Sequence, residues 1–191
     1  MDIFIYFFEN YIGIDTDESR IKTALEYFPK KSFQKVDLIT KSNQYLPFQN
    51  NTFDIILFND CVHHISNYNM KFILLEINRI LKKNGIIIIR EPKKDTSLFT
   101  YLITEIFENG NYVRTKNEYK EIFNSFTPIY EISNFEYIRD YYVLVVKKSN
   151  NICLNNINIV DTHNYQRIII NYFIILISLY NIYFLFNNIL Q

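Results

Sequence analysis

The sequence predicts an α/β protein with an open, mostly parallel sheet and helices on both faces. Three observations carry this. Strand-like and helix-like segments alternate from Tyr11 to Lys148, the pattern of a parallel sheet with crossover helices. Residues 69–85, NMKFILLEINRILKKNG, place Phe72, Ile73, Ile77, Ile80 and Leu81 at helical spacing. The run IIIIREP follows at once, four isoleucines without alternation, as expected of a strand buried on both faces.

Each element follows in chain order. YIGID is a short apolar run ending in an acid, read as a strand. DESRIKTALEYF sets Ile21, Ala24, Leu25 and Phe28 on one helical face, with Asp17 and Glu18 near its start. KVDLIT is a second strand and NNTFDIILFND contains a third. The central helix is expected to carry Lys82 and Lys83 in its last turn, with Gly85 beyond it. TSLFTYLITEIFE and NEYKEIFNSF read as helices, and FEYIRDYYVLVVKK as one or two closing strands. Residues 1–148 thus form the folded domain, 149–167 an Asn-rich linker, and 168–191 an apolar segment.

The chain has 191 residues, enough for one domain with a full core. Aromatics reach 17% and the formal net charge is +0, which excludes a disordered chain and argues against a dedicated nucleic-acid binder. Two cysteines outside any metal or redox spacing, and an opening MDIFIYFFEN without a basic n-region, point to a reducing, cytoplasmic setting and to no metal site. Ile168 to Phe186 carries no charge and is long enough to cross a bilayer as a helix. Tyr residues near both ends and Lys147, Lys148 and Arg167 before it fit a C-terminal membrane anchor with the domain in the cytosol. The rival is a core helix.

The stretch LPFQNNTFDIILFNDCVHHI, followed by LLEINRILKKNGIIIIREP, resembles the centre of class I S-adenosylmethionine-dependent methyltransferases, with the usual Pro of Leu-Lys-Pro-Gly replaced in LKKNG. Gly13-Ile14-Asp15 is similar to the second strand of the same Rossmann-like fold. The resemblance implies S-adenosylmethionine as cofactor. It implies that Asp15, with Thr16 beside it, receives the ribose hydroxyls, for which a carboxylate is a bidentate acceptor. The alternative for Asp15 is a helix N-cap. The adenine place falls on Ser42 and Asn43, where the family commonly has an acid and this chain has none. Asn59 and Asp60, after FDIILF, take the place that faces the methionine part of the cofactor.

His63 and His64 read as a packing pair rather than general bases. Glu91, at the tip of IIIIREP, is read either as a substrate contact or as the partner of Arg90 or a nearby Lys, with no catalytic role. No catalytic residue is implied, since a sulfonium is a good leaving group and in-line positioning carries much of the rate.

One family element is missing from the sequence. No glycine precedes Gly13, so the Gly-rich turn after the first strand is absent and the fold is expected to lack its first strand–Gly loop–helix. Losing two or three hydrogen bonds to charged groups, at roughly 1.5–3 kcal/mol each, predicts a weakened cofactor grip. Two function classes follow. One is a methyltransferase acting on an unknown small-molecule or lipidic acceptor. The other is an inactive pseudo-methyltransferase serving as a membrane-tethered module for a protein partner.

Overall fold

The computed structural model describes residues 10–38, 45–97, 100–101, 112–136 and 139–149. The linker from residue 150, the apolar segment 168–191, most of TSLFTYLITEIFE, and Ser42 and Asn43 lie outside the described residues. The described elements are β1 (Ile12–Asp15), α1 (Glu18–Tyr27), β2 (Ser32–Lys35), β3 (Phe53–Asn59), α2 (Asn67–Ile80), β4 (Leu81–Pro92), α3 (Lys116–Ile122), β5 (Thr127–Glu136) and β6 (Arg139–Lys147).

Among the described residues, β1 and β2 pair in parallel, and a second, open sheet runs β3-β4-β6-β5. In that sheet β3 and β4 are parallel while β6 lies antiparallel to both of its neighbours. The sheet is mixed, with β6 the one reversed strand among the described residues. Asp17 caps α1 by accepting the Ser19 N–H at 2.8 Å, so the N-cap role belongs to Asp17 rather than Asp15. On β1, Gly13 is needed because a Cβ there would stand 2.4 Å from the Phe33 ring of β2.

The second strand lies earlier than KVDLIT: β2 is Ser32–Lys35. Pairing with β1 fixes this, since Asp15 is opposite Lys35 and its carbonyl then takes the Val36 N–H. Val36 and Leu38 leave the strand to pack against the core.

Helix α2 also ends sooner than its sequence pattern suggests, at Ile80. Leu81 turns extended, fully buried, and starts β4 opposite Phe53. Lys82 and Lys83 are therefore strand residues, and Lys82 reaches Asp54 at 2.7 Å. Asn84 sits at φ 69, a left-handed conformation that Asn tolerates. Gly85 is required next to it, since a Cβ would meet the buried Leu81 side chain at 2.7 Å.

The core occupies one face of the sheet. Met70, Ile73, Leu74, Ile77 and Ile80 of α2 and Tyr119 and Ile122 of α3 close over Phe58, Ile87, Ile89, Tyr142, Leu144 and Val146. The four isoleucines consequently alternate: Ile87 and Ile89 are fully buried, while Ile86 and Ile88 are only half-buried. Burial on both faces, expected from their sequence, is not found because the described helices of this sheet meet a single core cluster on one side.

A candidate cofactor site at the strand tips

The Leu-Pro-Phe turn is held by the surface of α2. Glu76 accepts the Leu46 N–H at 2.9 Å, and Arg79 donates to the carbonyls of Leu46 and Phe48 at 3.1 and 2.7 Å. A bidentate pair between Glu76 and Arg79 locks both side chains, with Nη2 to Oε2 at 2.7 Å. The Arg79 guanidinium holds the Glu76 carboxyl below the usual carboxylate range. This turn leads directly into β3, whose C-terminal tip forms the site.

At the tip of β1, Asp15 is half-buried and Thr16 is exposed. One Asp15 oxygen accepts the Asp17 N–H at 2.8 Å, while the other lies 3.7 Å from Arg20 in a loose, exposed contact. That second oxygen faces no closer donor in the described structure, so it can receive one from a ligand.

At the tip of β3, Asn59 and Asp60 are drawn together by Arg90 of β4. Its Nη1 donates to Asn59 Oδ1 at 3.2 Å and Asp60 Oδ2 at 2.9 Å, and its guanidinium lies 3.8 Å from the centre of the Tyr141 ring. Asp60 has φ 50, the left-handed region, in which an acid is uncommon but tolerated. Its Oδ1 is buried and has no hydrogen-bond partner among the described residues. Burial lifts the Asp60 carboxyl above its ordinary value, against the pull of Arg90 and of a hydrogen bond from Tyr141. Such an orphaned acceptor is a natural point for a ligand donor.

Cys61 follows Asp60, and its thiol is pushed well up, first by burial and then by the charges of Glu91, Asp15 and Asp60. Asp15 of β1 is thus close enough to act electrostatically on the residue after β3. Four of the six residues that the sequence singled out, Asp15, Thr16, Asn59 and Asp60, lie at these strand tips. Ser42 and Asn43 fall outside the described residues.

Glu91 is the main departure from expectation. It is completely buried and pairs neither with Arg90 nor with a lysine. It turns inward to His63, Oε2 to Nδ1 at 2.6 Å, and to the amides of Cys61, Val62 and His63. A substrate contact by Glu91 is therefore replaced by an internal one. His63 is buried at the same place and its ring lies 4.1 Å from that of His64, in keeping with a packing pair. Sequence reasoning also missed Arg114, buried and bonded to the carbonyls of Val62, Ile65 and Tyr112 and to Asn67. No local pattern marked it, since the surrounding NGNYVRTKNEY is largely polar.

The open mixed sheet with helices packed on it is the fold of class I methyltransferases. Comparison with known proteins agrees: residues 3–89 match a family model described as a methyltransferase domain. Over residues 3–89 the chain is thus similar to methyltransferase domains, and its fold is that of class I methyltransferases. A ubiquinone biosynthesis O-methyltransferase of Pelagibacter ubique (strain HTCC1062) is 30% identical over 92 residues. That match takes in 48% of this chain and 37% of the relative, so the chain spans little more than a third of it.

Solved structures share the fold. The PH0226 protein of Pyrococcus horikoshii OT3 matches with a TM-score of 0.58 at 19% identity, over 76% of this chain and 74% of that one. A SAM-dependent methyltransferase of Methanosarcina mazei gives 0.59 at 15%, over 72% and 81%. Another, from Aquifex aeolicus, gives 0.57 at 18%, over 73% and 69%. The methyltransferase domain that residues 3–89 match implies S-adenosylmethionine as cofactor. The residues present suit it: the Asp15 oxygen in loose contact with Arg20 at 3.7 Å fits hydroxyl donors, and the Asp60 Oδ1, without a partner among the described residues, fits a cationic or N–H group.

Proposed function

We propose that this protein binds S-adenosylmethionine across the tips of β1 and β3 and transfers its methyl group to a small-molecule or lipidic acceptor. When bound, the cofactor supplies a methyl group activated by a sulfonium. Asp15 receives the ribose hydroxyls, with Thr16 beside it, and Asn59 and Asp60 present acceptors to the methionine end. Ser42 and Asn43 are assigned the adenine edge by the resemblance alone. The observation that carries the reading is the buried Asp60 Oδ1, without a hydrogen-bond partner among the described residues, beside a Cys61 thiol on which the charge of Asp15 also acts. No residue is assigned to acid–base catalysis, because positioning supplies much of the rate in such a transfer. The O-methyltransferase named among the relatives favours an oxygen nucleophile in the acceptor.

Calorimetric titration of S-adenosylmethionine into the full chain tests this, with Asp15→Ala beside the native protein. Loss of a bidentate charge-assisted contact is expected to weaken binding by at least about tenfold. A folded native protein without affinity for the cofactor would sink the reading.

A second reading is the inactive interaction module. It is supported by the edge strand β5, which leaves Ile129, Tyr130, Ile132 and Phe135 exposed. Its membrane tether would be the apolar segment 168–191. Among the described residues no helix is long and apolar enough to cross a membrane. The same titration separates the two readings.

A further inference from the structure

The loop that leaves β3 uses its amides in an unusual way. Four consecutive N–H groups, from Asp60 to His63, point back at two consecutive residues of β4. Asp60 N–H donates to the Arg90 carbonyl at 3.0 Å. Cys61 and Val62 both donate to Glu91 Oε1 at 2.8 Å, and His63 donates to Oε2 at 3.3 Å. Successive amides gathered by a turn form a nest that attracts anions. Here the protein's own carboxylate fills the nest, fully buried and steadied by His63 Nδ1 at 2.6 Å. The carbonyls of the loop are engaged as well: Cys61 by His64 N–H, Val62 by Ile65 N–H and Arg114, and His63 by Tyr112 N–H. Among the described residues, the acceptor left without a hydrogen-bond partner here is the Asp60 Oδ1.

We infer that Glu91 is a positioning and specificity-determining residue: by occupying the amide nest of residues 61–63 it turns the β3 tip into a rim that presents acceptors and excludes anions. This rests on the reading of the strand tips as the cofactor site. The ligand class selected at that tip is a hydrogen-bond donor or cation, such as an ammonium group, and not a phosphate or carboxylate. Glu91 acts through the backbone of the loop and touches no ligand itself.

Chemical rescue tests the inference on the full chain. In Glu91→Ala the nest loses its anion, and affinity for S-adenosylmethionine is expected to fall at least about tenfold, as for the loss of hydrogen bonds to a charged group. Formate in excess should refill the nest and recover most of that affinity, which a role in packing alone would not allow. Glu91→Gln keeps one acceptor for the amides of Cys61 and Val62 and should bind with intermediate affinity. Amide exchange at Cys61, Val62 and His63 should be slow in the native protein and speed up in the variants, with the β4 and β6 amides unchanged.

A folded Glu91→Ala that binds the cofactor as tightly as the native protein would overturn the inference. So would a loss that formate leaves unrepaired. Should Glu91→Ala not fold, Glu91→Gln decides: faster exchange confined to the three amides supports the inference, and unchanged exchange overturns it. If the native protein binds no cofactor, the proposed function fails, while the exchange experiment still tests whether Glu91 holds the loop.

Discussion

Replacing Arg114 by methionine should come close to unfolding the protein. The Arg114 side chain is 1% exposed and makes five hydrogen bonds to four acceptors. These are the carbonyls of Val62, Tyr112 and Ile65, at 3.0, 2.9 and 2.6 Å, and Asn67 Oδ1, at 3.0 and 2.7 Å. Methionine fills much of the volume but donates nothing. Each buried acceptor left unsatisfied costs about 1–3 kcal/mol. Entry of water and removal of a buried charge offset part of this, leaving a loss of about 3–5 kcal/mol. Against a total of about 5–15 kcal/mol for an ordinary domain, that is a large fraction. Urea denaturation of the full chain, followed by circular dichroism, measures it. Arg114→Lys should fall between the two, since an ammonium cannot span all four acceptors. A loss below about 1 kcal/mol for Arg114→Met would refute the view that Arg114 ties the loop after β3 to the segment before α3.

Two more outcomes follow from the titrating groups. Glu76→Gln should destabilise the protein by about 1–2 kcal/mol at neutral pH through weakened contacts to Arg79 and Leu46. Because the folded Glu76 carboxyl titrates below its ordinary value of 4.5, the native advantage is full above that value and lost as pH falls through the lowered one. Denaturation midpoints of the two proteins should therefore converge on acidification; a gap that persists or widens there would contradict the pairing. Cys61, whose thiol is pushed well up by burial and nearby acids, should react with iodoacetamide at pH 8 at least about tenfold more slowly than a free thiol. Labelling at the rate of an exposed cysteine, read by peptide mass mapping, would show that the rim is open and less acidic than described.

The sequence revealed those parts of the fold that bury an uninterrupted pattern. Helix α2 was legible because Ile73, Ile77 and Ile80 recur at helical spacing on one buried face. Its end was not, since Lys82 and Lys83 suit a last helical turn and only the pairing of Leu81 with Phe53 makes them strand. Strand β5 escaped for the opposite reason: at the edge of the sheet its visible side chains are exposed, so TPIYEISNFE has no buried face to impose alternation. Within the site, Asp15 and Asp60 were found by their places after strands, which the chain order alone fixes. Glu91 shared that signal yet points inward, because its partners lie about 30 residues earlier and no local pattern announces a carboxylate that caps a distant turn.

The central claim is that the tips of β1 and β3 form one cofactor site. Hydrogen exchange of the full chain with and without S-adenosylmethionine tests it most directly. The account predicts slower exchange in two places together, Asp15–Asp17 and Asn59–Cys61, with the amides of β5 unaffected. Protection confined to one tip, or found only around β5 and α3, would contradict it.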